Sequence, residues 1–184
     1  MRLSTPRVPA LDEATASDEQ IEVLTRAKSS KIENAANIFR TLANYPKLLK
    51  RWLVFANHVL FKSTLNDRDR EILILRIGWL CQAEYEWAQH VVIGMNAGIT
   101  AQEIERIKQG PDAPGWSAFD ATLLRATDEL HNDAFITQLT WNELSTRYSQ
   151  EQLMDVIFTV GNYTIVSMAL NTLGVQLDEG LKGF

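Results

Sequence analysis

The chain has 184 residues, 46% hydrophobic and 22% charged, enough for one well-buried domain and few for two. Eighteen Lys and Arg against 23 Asp and Glu leave a formal charge of -5, which argues against a nucleic-acid partner, whose binders carry a concentrated basic footprint. The single cysteine, Cys81, excludes an internal disulfide framework and a structural zinc site of several thiolates, and it fits a reducing, cytoplasmic setting.

Residues 1–16 carry charges and two prolines, Pro6 and Pro9, but no apolar run of the signal-peptide kind. They are expected to form an extended arm, held only by whatever packs on Leu3, Val8 or Leu11. Helices are predicted over 18–28, 34–43, 46–62, 67–81, 84–97, 101–109, 117–132, 140–147 and 150–172. Ser17-x-x-Gln20, Thr100-x-x-Glu103, Thr140-x-x-Glu143 and Ser149-x-x-Gln152 have capping-box spacing. Pro46 suits a first helical turn, and Gly98 and Gly110-Pro111 stand where helices should end.

No alternating, β-branched run with a hairpin turn interrupts this pattern, so the fold class is all-α and the whole chain reads as a single domain. Most connections are short, which makes successive helices antiparallel neighbours. Residues 109–117 (QGPDAPGWS) are the clearest loop. The apolar run Ile72–Cys81 carries Arg76 at its middle and is too short to span a bilayer, so no membrane partner is expected. Residues 71–80 and 155–161 are apolar nearly all round, which places them inside the domain or in a subunit interface and favours a homo-oligomer.

The chemistry concentrates in Asn66–Thr100. Glu86 and His90 are four apart, about 40° from each other on one helical face with ~6 Å of rise between them. A carboxylate there can hold one imidazole nitrogen and leave the other for proton transfer. Glu71 is another matter. On one straight helix it would sit about 28 Å from His90, so cooperation requires the chain to reverse between Gly78 and Glu84. Gly78 weakens the helix locally, but no proline or turn dipeptide marks a break.

Plainer readings stand beside these. Glu86 and His90 could be an exposed i,i+4 pair, and Glu71 a partner of Arg68 or Arg70 on a solvated face. Cys81 is either a small buried hydrophobe or, beside a helix N-terminus, a nucleophile of lowered pKa. His58 reads as a packed histidine or a pocket residue, and His131 as a partner of its helix's last carbonyls. Trp79, Trp87, Trp116 and Tyr163 belong to the core or an interface. E-x-x-x-H with one more distant Glu is under-liganded for a metal, so no metal site is expected.

Arg68-x-Arg70-Glu71, the apolar run after it, Tyr85-Glu86-Trp87-x-x-His90 and Ala97-Gly98-Ile99-Thr100 resemble the carboxymuconolactone decarboxylase family, which includes the alkylhydroperoxidase D-like proteins. The resemblance extends to Asn37–Ala43 with Tyr45-Pro46, and to Gly161-Asn162-Tyr163 and Asn171. It implies a compact helical bundle with the central antiparallel pair 67–81 and 84–97, a reversal just before the motif, and assembly as a trimer or hexamer. It also implies that Glu71 and His90 take the places of a glutamate and a histidine that flank C-x-x-C in the peroxidase branch. The two cysteine positions fall on Ala83 and Glu86, and Cys81 is out of register with both. A two-cysteine peroxidase cycle therefore lacks its pair in one chain.

The decarboxylase branch implies an enzyme without metal or prosthetic group, acting on a small carboxylate-bearing molecule. In that reading His90 donates the proton, Glu86 orients it or acts as base, and Glu71 is the second carboxylate of the relay. A helix starting near Ala83 would favour Glu86 as the carboxylate through its dipole. Tyr85 and Arg76 are candidates for substrate binding, with Arg68 and Arg70 as further anion-binding forks. The alternatives are a thiol peroxidase using Cys81 with an external thiol, and a non-catalytic oligomer of the same fold.

Overall fold

The computed structural model describes residues 1–26 and 35–184. The ends of the first two predicted helices that run into 27–34 lie outside the described residues. Among the described residues there are nine α-helices and no strand: α1 (Asp18–Arg26), α2 (Asn37–Leu42), α3 (Pro46–Phe61), α4 (Asp67–Leu80), α5 (Glu84–Asn96), α6 (Ala101–Gln109), α7 (Ala118–Asp133), α8 (Gln138–Ser145) and α9 (Gln150–Leu173).

The capping chemistry explains most of the starts. Thr100 and Ser149 form reciprocal capping boxes with Glu103 and Gln152, and Ser17 and Gln20 exchange the same pair of bonds. Thr140 does not. Helix α8 begins two residues earlier than predicted because Thr137 is its N-cap, and the Thr140 hydroxyl instead donates to Glu129 on α7 at 2.8 Å.

Helix α4 is the axis of the bundle. Every residue from Asp69 to Gly78 is buried, and α5, α6, α7 and α9 pack around it. Five of its aliphatic side chains, Ile72, Leu73, Ile74, Leu75 and Ile77, are fully buried, at about 1.5–3 kcal/mol each. Four of its charged residues, Asp69, Arg70, Glu71 and Arg76, are buried too, which is tolerable only because each has a partner. Asp69 accepts the Tyr148 hydroxyl at 2.6 Å, and Arg70 pairs with Asp67 at 2.9 Å.

The predicted reversal is present, and its mechanism is a helix-ending motif without glycine. Gln82 adopts φ 51, while the Ala83 N–H reaches the Gly78 carbonyl and the Gln82 N–H the Trp79 carbonyl, both at 2.9 Å. That is a Schellman pair of bonds around a left-handed residue, the role glycine usually fills. Gly98, at φ 93, closes α5 with the same bonds. Gly94 lets α5 settle on α4, since an added Cβ would come within 3.1 Å of Leu75 Cδ1.

Both terminal segments are tied to the bundle. Arg7 and Val8 donate backbone bonds to the Leu173 carbonyl, and Leu11 packs on the cluster that contains Leu24 and Leu49. Beyond α9, Asp178 accepts bonds from the Tyr85 hydroxyl at 2.6 Å and the Asn37 backbone N–H at 2.8 Å, and from Gln89. Helix α9 is long and apolar enough to cross a membrane by length and composition, yet half of it is buried against neighbouring helices. Its outer face is open in the single chain, with Met154, Phe158, Ile165 and Met168 exposed, so of the two places expected for residues 155–161 the domain interior holds for only one side of the helix.

Candidate active site

The reversal at Cys81–Ala83 brings α5 back along α4 and puts His90 against Glu71. His90 Nδ1 lies 2.6 Å from Glu71 Oε2, with both side chains buried. With Glu71 as the carboxylate, Nδ1 carries the proton and Nε2 is left with its lone pair. The imidazole is steadied by Tyr163, whose ring meets it edge-on with centroids 4.9 Å apart. Arg70 Nε stands 3.6 Å from the other Glu71 oxygen and supplies a nearby positive charge.

Glu86 does not hold His90, contrary to the i,i+4 reading. Its Oε2 accepts the Ser167 hydroxyl at 3.1 Å, and its Oε1 is buried without a hydrogen-bond partner. Two effects compete over its charge. A place in the first turn of α5 favours the carboxylate by about 0.3–1 kcal/mol. Burying an uncompensated charge costs several kcal/mol, so burial wins. The Glu86 pKa is raised well above its ordinary 4.5, first by desolvation and then by the charge of Glu71. The residue expected as orienter or base is therefore a neutral acid, and the orienting carboxylate is Glu71.

These groups open on a cavity of about 280 Å³ between the α2–α3 pair and helices α5 and α9. Glu86, Gln89 and His90 contribute polar atoms from α5, while Phe39, Trp52, Leu53, Tyr163 and Val166 form much of its apolar wall. The Trp52 indole N–H donates to Asn162 Oδ1 at 3.1 Å, joining the two sides. Desolvation first, and then the charge of Glu71, pushes the Tyr163 phenol well above its ordinary value, so it remains neutral.

The other predicted residues separate from this group. Tyr85 lines the cavity with its ring, but its hydroxyl donates to Asp178 and accepts from the Ile38 backbone N–H at 3.2 Å, which makes it the anchor of the C-terminal segment. Burial and then the Asp178 bond raise its pKa. Arg76 points the opposite way. It holds Asp128 through two bonds, 2.6 and 2.9 Å, and donates to the carbonyls of Ile107 and Lys108. Its guanidinium lies over Gly110, where an added Cβ would come within 2.9 Å. Arg68 bridges Asp120 and Glu103. None of these arginines is an anion-binding fork in the cavity.

Cys81 occupies the C-cap of α4, the negative end of a helix, rather than a helix N-terminus, and it is not among the residues lining the cavity. Burial raises its thiol pKa, against smaller opposing effects of Ser167 and Arg2. His131, expected on its helix's carbonyls, has Nδ1 3.9 Å from Cys81 Sγ. His58 is exposed rather than packed, 3.8 Å from Asp155, and lines a separate, more open pocket with Phe55, Met154 and Phe158. Trp79 and Trp87 pack together with centroids 5.6 Å apart, against Phe184. Among the described residues no group of three His, Cys, Asp or Glu is arranged to hold a metal ion.

Ser167 was not legible as a site residue. Its signal is a polar stripe at i,i+4 on α9: Tyr163 on the imidazole, Ser167 on Glu86, and Asn171 donating to the Cys81 carbonyl at 2.9 Å.

The fold and site define an all-α bundle whose buried carboxyl–imidazole pair borders a small, mainly apolar cavity. Residues 46–129, from α3 into α7, which include Glu71, Glu86 and His90, match the carboxymuconolactone decarboxylase family. The fold is the alkylhydroperoxidase D-like one. It is similar to the alkylhydroperoxidase AhpD core of an uncharacterized peroxidase-related protein from Ralstonia eutropha JMP134, at 15% identity and TM-score 0.80 over 95% of this chain and 93% of that one. An uncharacterized peroxidase-related protein from Silicibacter sp. TM1040 gives 14% and 0.78 over 96% and 95%. A variant of the debrominase Bmp8 in complex with 2,3,4-tribromopyrrole gives 11% and 0.76 over 96% and 94%. No curated protein matches the sequence.

Proposed function

We propose that this protein is an enzyme performing proton transfer on a small molecule without a cofactor, with His90 as the acid–base group. The observation that carries this reading is the 2.6 Å contact between His90 Nδ1 and Glu71 at the wall of a cavity. Glu71 fixes the tautomer and stabilises the imidazolium that forms when Nε2 takes a proton. Glu86, neutral and with an unpartnered oxygen, supplies a hydrogen bond to an oxygen that gathers negative charge. The same relay would serve a decarboxylation on any carboxylate-bearing molecule that the cavity admits. Loss of CO2 from a carboxylate-bearing lactone leaves an enolate, which Glu86 holds while protonated His90 delivers a proton to carbon.

The competing thiol peroxidase has less support, because Cys81 lies outside the cavity-lining residues and its thiol pKa is raised. The test is a panel of lactone acids and enolisable carbonyl compounds in D2O, monitored for CO2 release and deuterium uptake at carbon. Turnover that depends on His90 is the expected result. Peroxide consumption that depends on Cys81, with no reaction on the panel, would overturn the reading in favour of the peroxidase. Silence in both assays would favour a non-catalytic bundle.

We also propose a homo-oligomer, a trimer or hexamer, in a cytoplasmic setting. The exposed apolar side chains Val54 on α3 and Phe158, Ile165 and Met168 on α9 support association. Sedimentation equilibrium giving only the 20.8 kDa monomer would refute it.

A further inference from the structure

We infer that the ligand of the Glu86–His90 cavity is an uncharged, ring-sized carbonyl compound rather than a carboxylate. The inference rests on the proton-transfer reading of the site and concerns what that site accepts.

The first observation is the absence of a cation. Among the described residues lining the cavity there is no Lys or Arg. The arginines close in sequence do not line it: Arg68 is engaged with Asp120 and Glu103 and Arg76 with Asp128, while Arg70, paired with Asp67, stands behind Glu71 with Nε 3.6 Å from its carboxylate and compensates that charge. A carboxylate entering such a space would lose its hydration without gaining an ion pair, a loss of several kcal/mol. It would also approach Glu71. Glu86 shows the consequence within the protein itself, since its own carboxyl group in this wall is held neutral by burial.

The second observation is the shape and chemistry of what remains. Phe39, Trp52 and Tyr163 present aromatic surface, and the volume, about 280 Å³, is at the small end for ligand cavities. Glu86 Oε1 is buried with no partner, and the residue as a whole is 2% exposed. Glu86 lines the cavity, and its protonated carboxyl group is a donor that lacks an acceptor; a turn of that group away from Gly78 offers it to a ligand carbonyl oxygen. With the carbonyl at Glu86, a carbon acid on the same molecule can face His90. The C–H proton passes to Nε2, the bonding pair moves into the enolate, and the oxygen keeps the Glu86 hydrogen bond. Return of a proton to carbon closes the cycle, so in D2O the carbon gains deuterium with no net redox change.

Acetophenone and benzoate have nearly the same shape and differ in charge. Calorimetric titration of the intact protein at neutral pH should show acetophenone binding at least about tenfold more tightly, equivalent to about 1.4 kcal/mol. The Ala56→Phe substitution, at the half-buried α3 edge of the cavity, should abolish that binding. Nuclear Overhauser contacts from acetophenone to the Trp52 and His90 rings provide a second localisation if the variant does not fold. Equal or tighter binding of benzoate, no binding of either, or acetophenone binding without those contacts and insensitive to Ala56→Phe would each overturn the ligand class. Deuterium uptake into the acetophenone methyl is read separately. Binding without exchange would leave the ligand class standing and remove the proton-transfer reading. Turnover restricted to carboxylate-bearing substrates would do the reverse.

Discussion

Gly78 and Glu86 face each other across the central reversal, and a Cβ on residue 78 would come within 3.2 Å of Glu86 Oε1. The glycine therefore makes room for a buried carboxyl group as well as lying near a helix end. Gly78→Ala should gain up to about 1 kcal/mol of helix propensity while pushing the carboxyl group out of place. Its melting temperature should stay near that of the wild type, and turnover should fall roughly tenfold. Melting curves together with steady-state kinetics check both halves.

Burial holds Glu86 protonated in the folded chain, whereas in the unfolded chain it ionises around its ordinary 4.5. Below that pH both states are protonated and the group is neutral to stability. As pH rises past it, the unfolded state loses the proton first, so this group lowers stability until the folded pKa is passed. Glu86→Gln removes the effect. The variant should melt above the wild type by a few degrees at pH 8, and the gap should close below pH 4.5. A gap that instead widens in acid would contradict the neutral assignment.

His90 carries the proposed reaction, and its removal separates chemistry from folding. His90→Gln keeps a polar side chain near Glu71 and should cost about 1 kcal/mol of stability or less. Turnover should drop by roughly a hundredfold to ten-thousandfold. His90→Ala strands Glu71, which is fully buried, and should cost about 3 kcal/mol. Denaturant melts of the two variants make the comparison.

Cys81→Ser tests whether the thiol matters. Because Cys81 is not among the cavity-lining residues and its thiol pKa is raised, turnover should stay within about twofold of wild type and stability within about 1 kcal/mol. Any peroxide consumption by the wild type should likewise survive the substitution.

Arg76 is a structural clamp between α4, the end of α6 and α7. Arg76→Met leaves Asp128 and two carbonyls without their donor and should destabilise by about 3 kcal/mol. KM at a temperature where the variant is folded should remain within about twofold of wild type. A large KM change with little loss of stability would place Arg76 in substrate binding after all.

What the sequence by itself determined is local. Ser17, Thr100 and Ser149 announce helix starts because a cap bonds to a backbone group three residues away. Gly98 and Gly110 mark ends because a left-handed or strained backbone favours glycine. The same locality explains the errors. Thr140 had the right spacing but was overruled by Thr137, and the reversal was hidden because Gln82 fills a position where glycine is the usual signal. Tertiary structure alone decided that His90 pairs with Glu71, 19 residues away, instead of with Glu86, four away. That choice depends on how closely α5 settles on α4, which small residues such as Gly94 permit. It also set the charge of Glu86 and the direction of Arg76. Desolvation and ion pairing depend on every element packed around a group, and no window along the chain contains them.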